Sequence, residues 1–106
     1  MTITIDDFKK IELKIGTVES AERVEGTAKL VKLVVDLGAE KRELVAGIAD
    51  AYALEELKGK QIVVLANLEE RIIKGCKSQG MLLAADGDKP VLLTVDKQVQ
   101  NGVGIR

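Results

Sequence analysis

The 106-residue chain has no histidine and no tryptophan, and only one residue each of phenylalanine, tyrosine, cysteine and proline. Without histidine, neither a Ser-His-Asp nor a Cys-His nucleophile can be assembled, and the usual zinc ligand sets are missing. The glycines follow neither a Walker nor a dinucleotide-binding spacing. Carboxylates are plentiful but scattered among lysines, so no catalytic residue, no metal and no other cofactor is expected. Cys76 has no partner for an internal disulfide, which fits a reducing compartment. No apolar run approaches the roughly 20 residues that span a bilayer, and the start, Met1-Thr2-Ile3-Thr4-Ile5-Asp6-Asp7, lacks the basic and apolar regions of a signal peptide. A cytoplasmic protein with no membrane partner is expected.

The shortage of aromatics restricts any nucleic-acid role. Phe8 and Tyr52 are the only aromatic residues, so the base-stacking platforms of single-strand binders are nearly absent. A net charge of −1 and a pI of about 5.5 argue against a general coat for polyanions. Positive charge would have to be local, and RNA would have to be recognised by shape and backbone.

What is present suits one small folded domain spanning residues 1–106. Hydrophobic residues make up 46 % and charged residues 31 %, enough for one modest core. Asp6 to Lys10 reads as a short capped turn. Ile11, Leu13 and Ile15 then alternate with Glu12 and Lys14 ahead of Gly16 and Val18, a first strand with a glycine bend. Glu19 to Ala28 is polar and reads as a loop. Leu30 to Asp36 and Lys41 to Ala46 are two more strands, joined by a turn at Gly38. Asp50 to Gly59 carries good helix formers, an acid at its start and Lys-Gly at its end, a short helix with both ends marked. Ile62 to Leu68 and Met81 to Ala85 are the fourth and fifth strands, Met81 and Leu82 both being assigned to the core. Residues 91–106 form a C-terminal extension of one or two further strands.

Three strands, a helix and two strands is the order of a five-stranded OB barrel, an all-β fold with one short helix between strands three and four. An open Greek-key sandwich is the competing architecture, disfavoured by the position of the helix. In an OB barrel the loops after strands one and four border the ligand face. Here these are Glu19 to Lys29 and Glu69 to Gln79.

The second loop, with its flanks, has the most distinctive composition in the chain. Arg71, Lys74 and Lys77 donate only, Ser78 and Gln79 donate and accept, and Gly75 and Gly80 permit close backbone approach. That inventory suits phosphate and 2′-hydroxyl contacts, although a solvated surface loop would have a similar composition.

The chain resembles the tRNA-binding domain family related to the C-terminal (beta-chain) domain of methionyl-tRNA synthetase. The resemblance runs through Asp7-Phe8-Lys9-Lys10-Ile11-Glu12-Leu13-Lys14-Ile15-Gly16, Ala21 to Thr27 and Lys29-Leu30-Val31-Lys32-Leu33. It continues in Val35-Asp36-Leu37-Gly38, Val45-Ala46-Gly47-Ile48, Gly59-Lys60 and Asn67-Leu68, and closes with Ser78-Gln79-Gly80-Met81-Leu82-Leu83-Ala84-Ala85. It implies non-catalytic, structure-specific but largely sequence-independent tRNA binding by a homodimer, free-standing or in trans to a methionyl-tRNA synthetase catalytic chain. It also implies an RNA-facing set of Lys14, Lys29, Lys32, Asn67, Arg71, Lys74, Ser78 and Gln79. Lys77 and Arg42 join that set from charge and placement. Where the family often reads Asn-Leu-Lys-Pro-Arg-Lys, this chain has Asn67-Leu68-Glu69-Glu70-Arg71-Ile72, which weakens phosphate attraction. Related domains also resemble export chaperones, so a module holding unfolded polypeptides is the alternative function. The apolar segment Val91 to Val95, with Val99, Val103 and Ile105, is either the dimer surface or an extra strand covering this subunit's own barrel.

Overall fold

The computed structural model describes residues 1–106. It begins with α1, Ile5–Lys9, where the expected capped turn becomes a short helix. Thr4 closes it with a capping box, its hydroxyl accepting from the Asp7 amide while the Asp7 carboxylate accepts from the Thr4 amide. No residue of this helix is buried.

Three long strands follow: β1 (Leu13–Arg23), β2 (Val31–Asp36) and β3 (Lys41–Ala46). The second and third lie within a residue of expectation, because Val31, Leu33 and Val35 alternate with more exposed neighbours in a pattern of period two. The first runs five residues further than expected, through the polar Glu19 to Arg23. A bulge between Val18 and Ser20 keeps this stretch in register with β2, Ser20 facing Val34 and Arg23 facing Val31. Its polar side chains are exposed or half-buried, so strand pairing there needs no apolar pattern. Gly16 marks the close approach of β1 and β2, since a Cβ there would lie 2.6 Å from Val35 Cγ1 and 2.9 Å from the Asp36 carbonyl.

The helix after β3 is a single turn, α2 (Leu54–Leu57), preceded by turns. Leu57, fully buried, plugs one end of the barrel core with Ile48 and Val31. Next come β4 (Gln61–Leu65), β5 (Arg71–Ile73), β6 (Cys76–Ser78), β7 (Met81–Leu82), β8 (Ala84–Asp86) and β9 (Pro90–Leu92). The expected fifth strand is therefore split into β7 and β8, and the expected loop from Glu69 to Gln79 contains the β5–β6 hairpin. The main sheet has the order β3-β2-β1-β4-β7. It curls into a nearly closed antiparallel barrel, because Gln79, just before β7, hydrogen-bonds β3. This is an OB-like fold.

The C-terminal extension lies on this chain's own barrel. Gly102 donates to the Ile15 carbonyl at 2.7 Å, and Ile15 and Ile105 bond to Val103 and Leu13 at 2.9 and 3.0 Å. Gln61 holds the same strap through Val99 and Asn101, and Asn101 also accepts from the Thr17 hydroxyl. Beyond β9 the extension is a strap held to β1 and β4 by these bonds and by one isolated bridge, Lys14 to Gly104, with no further strand, while Leu93, Val99, Val103 and Ile105 remain exposed.

Candidate nucleic-acid interface

The most prominent part of the site is the hairpin between β4 and β7. Its turn is Lys74-Gly75, with φ of 50° and 79°, the two left-handed residues of a type I′ turn. Register pairs Arg71 with Ser78, Ile72 with Lys77 and Ile73 with Cys76. Alternation then puts Ile72 and Lys77 on the outer side, and Arg71, Ile73 and Ser78 on the side toward β3. Neither Lys74 nor Arg71 forms an ion pair, and both are exposed.

Lys29 occupies the loop between β1 and β2, exposed and also without an acid partner, its carbonyl accepting from the Ala49 amide. Lys32, on the outer face of β2, is tied to Glu43 of β3 at 3.5 Å. Lys77 lies 3.9 Å from Glu70, and Lys41 lies 3.1 Å from Glu19. Sheet formation and the fold of the hairpin bring these acids beside the cations, and sequence order alone does not reveal it. On the sheet face Lys32 and Lys41 are therefore balanced by Glu43 and Glu19, whereas Lys29, Arg71 and Lys74, on the first loop and the hairpin beside that face, have no ion-pair partner.

The remaining expected contacts have structural partners. Ser78 is fully buried; its hydroxyl accepts from the Val45 amide at 3.1 Å and donates to the Gly80 carbonyl at 3.0 Å. Gln79 closes the barrel on β3. Asn67 accepts from the Glu12 amide at 2.9 Å and donates to the Lys10 carbonyl at 2.6 Å, fastening the link between α1 and β1 to the end of β4. Lys14 is half-buried, opposite Val64 in register and bridged to Gly104, away from the hairpin.

Arg42 is also engaged. It donates to Glu40 at 2.7 Å, and further to the carbonyls of Ala66 and Gln79. The hydrogen bond and charge of Arg42 hold the Glu40 carboxyl below the usual carboxylate range, with Lys14 adding a smaller pull. The same hydrogen bond raises Arg42 above its ordinary value despite partial burial. Met81, expected in the core beside Leu82, is instead exposed at 38 % while Leu82 is buried. Adjacent strand residues face opposite sides, and only Leu82 points inward.

Arg71, Lys74 and Lys77 are therefore gathered on one hairpin, Lys29 and Lys32 lie on the first loop and the adjoining strand, and Ser78, Gln79, Asn67 and Arg42 are occupied within the fold.

Comparison with known proteins identifies the family. A family model described as "Putative tRNA binding domain" matches residues 13–104. The methionine–tRNA ligase of Thermotoga maritima is 54 % identical over 104 residues, 97 % of this chain. The chain spans only 16 % of the length of that ligase. Among solved structures, a MetRS-related protein from Pyrococcus horikoshii superposes with a TM-score of 0.94 at 39 % identity, covering 100 % of this chain and 99 % of that one. The chaperone CsaA of Bacillus anthracis superposes with a TM-score of 0.91 at 29 % identity, covering both chains completely, at 100 % each. The domain match over nearly the whole chain, on a barrel with a cationic hairpin, places this protein in the tRNA-binding domain family related to methionyl-tRNA synthetase.

Proposed function

We propose that residues 1–106 form one non-catalytic domain that binds tRNA by backbone and shape, without strong sequence choice. The observation that carries this reading is the placement of Lys29, Arg71 and Lys74, all exposed and outside any ion pair, on the β1–β2 loop and the β5–β6 hairpin, the two segments that border the ligand face of an OB barrel. Lys74 adds weight because it holds a left-handed backbone, a conformation that Asn or Gly would take at less cost. The domain acts in the cytoplasm, free-standing or in trans to a methionyl-tRNA synthetase catalytic chain, a role supported by its likeness to one segment of such ligases.

A homodimer fits the opposite end of the molecule. α1 buries none of its residues, and Ile5, Phe8, Ile11 and Ile105, with Lys9 and Arg106 beside them, line a largely apolar cleft of about 250 Å³ between it and the C-terminal extension. Ile5 and Ile11 are 66 % and 44 % exposed, an apolar surface of the kind that a second copy would cover. Two linked faces would raise avidity without new contacts.

The test is fluorescence anisotropy with folded total tRNA and with the same tRNA heat-denatured without magnesium, across salt. Tighter binding to the folded form is expected, with a log–log salt slope of about −2 to −3 per subunit for three phosphate contacts. Joint reversal of Lys29, Arg71 and Lys74 to Glu should remove it. No binding even at low salt would overturn the reading. The chaperone-like alternative is favoured by the likeness to CsaA together with Ile72, 68 % exposed on the hairpin; capture of a denatured polypeptide, undiminished by the three Glu substitutions, would support it.

A further inference from the structure

A groove of about 310 Å³ runs beside the hairpin, at the lower end of the range for small-molecule sites. Its walls include Leu30 from the loop before β2, Gly47 just past β3, Ile73 from the hairpin, Met81 of β7 and Pro90 of β9. The only residue with a polar side chain in the lining is Arg71. An apolar cavity whose single polar group is a cation suits a ligand with a flat or apolar body and an attached negative charge.

The surroundings narrow the ligand further. Lys29 directly precedes Leu30, and the exposed Lys74 caps the hairpin that supplies Arg71 and Ile73. The acids Asp86 and Asp88 lie at the other end, by Pro90, so an anionic chain is drawn along the Lys29–Arg71 side. The N–H of Gly47 takes no part in the hydrogen bonds of the loops and turns, which leaves a donor for the polar edge of a ligand. A neutral apolar peptide could offer Arg71 only carbonyl oxygens, which make weaker hydrogen bonds than a charged phosphate. A nucleotide uses both features, with its base against Ile73 and the soft thioether of Met81 and its phosphate on the guanidinium.

We propose that this groove seats one unstacked base of the bound RNA, with Arg71 on a flanking phosphate; this rests on the RNA-binding reading above. It gives a chain with no aromatic platform a way to favour RNA that carries an unpaired nucleotide over a uniform duplex.

Gly47 makes the proposal testable without disturbing the fold. A Cβ added there meets nothing within 4 Å, and its backbone is not left-handed, so Gly47→Leu adds apolar bulk at the groove wall with no clash at the Cβ and no backbone strain. The probes are a stem–loop RNA with one bulged 2-aminopurine and a fully paired stem–loop with the same number of phosphates. The full chain should bind the bulged RNA about fivefold tighter, the low end for a single seated base, with a change in 2-aminopurine fluorescence. Gly47→Leu and Met81→Glu should erase that preference, Gly47→Leu leaving affinity for the paired RNA as it was. Equal affinity for both RNAs with a silent 2-aminopurine would overturn the groove assignment and leave RNA binding standing. Binding of neither RNA at low salt would overturn the RNA reading and this proposal together. Binding of reduced, carboxymethylated polypeptide that Gly47→Leu blocks, with no discrimination between the RNAs, would assign the groove to polypeptide instead.

Discussion

Glu43 and Gln79 satisfy one another twice: the Gln79 amide donates to the Glu43 carbonyl at 2.8 Å, and the Glu43 amide donates to the Gln79 side-chain oxygen at 3.1 Å. One residue thus supplies both the main-chain and the side-chain half of a ladder step. Its neighbour Ser78 does the same kind of work at Val45 with its hydroxyl. The barrel closes between β3 and β7 through side chains standing in for strand carbonyls, and Gly80 follows because a Cβ there would lie 2.8 Å from the Leu65 carbonyl.

Ser78 is therefore expected to matter for stability and not for RNA. Ser78→Ala strands the buried Val45 amide, a loss of about 1–3 kcal/mol. Urea unfolding should show that loss, while tRNA affinity of the folded variant stays at the wild-type level. A weakened affinity with unchanged stability would show that the hydroxyl reaches the ligand.

The ion pairs on the sheet face lead to a prediction of gain. Glu43→Gln releases Lys32 and Glu70→Gln releases Lys77, and exposed pairs of this kind contribute only about 0–1 kcal/mol to stability. Each substitution should tighten tRNA binding at low salt and steepen the log–log salt slope by about 0.7–0.9. Anisotropy titrations at several salt concentrations measure both. An unchanged slope would mean that the freed lysine contacts no phosphate.

Much of this was legible before the structure. The alternation in Val31 to Val35, the glycine turn at Gly38 and the helix signals around Leu54 to Gly59 are local, and they place an OB barrel. The closure was not legible, because Ser78 and Gln79 have the same donor and acceptor inventory whether they meet a strand edge or a phosphate. The hairpin was hidden for a different reason. Its strands have three residues each, and its turn begins with Lys74 where Asn or Asp would have signalled type I′. The partners of Lys32 and Lys77 depend on strand register and on how the hairpin folds back, neither of which follows from counting charges.

Lys74 sets stability against binding at one position. Its left-handed backbone costs about 1 kcal/mol relative to a residue that tolerates it. Lys74→Asn should raise the urea midpoint by a corresponding amount and weaken tRNA binding, with the salt slope less steep by about one contact, 0.7–0.9. Stabilisation without loss of affinity would remove Lys74 from the interface.

The Arg42–Glu40 pair predicts an acid-side effect. Glu40 has a lowered pKa in the folded protein, first through its hydrogen bond to Arg42 and then through the charge of Arg42. A carboxylate with a depressed folded value contributes stability that is complete above its unfolded pKa of about 4.3 and is lost as pH falls through the folded value. The contribution should therefore be flat at neutral pH and fade only below about pH 4.3. Arg42→Lys keeps a cation but cannot reproduce the fork that reaches Glu40, Ala66 and Gln79 together. An NMR titration of the Glu40 carboxyl should show its midpoint below the ordinary value in the wild type and shifted upward in Arg42→Lys. A midpoint indifferent to that change would mean that the guanidinium fork is not what holds the carboxylate.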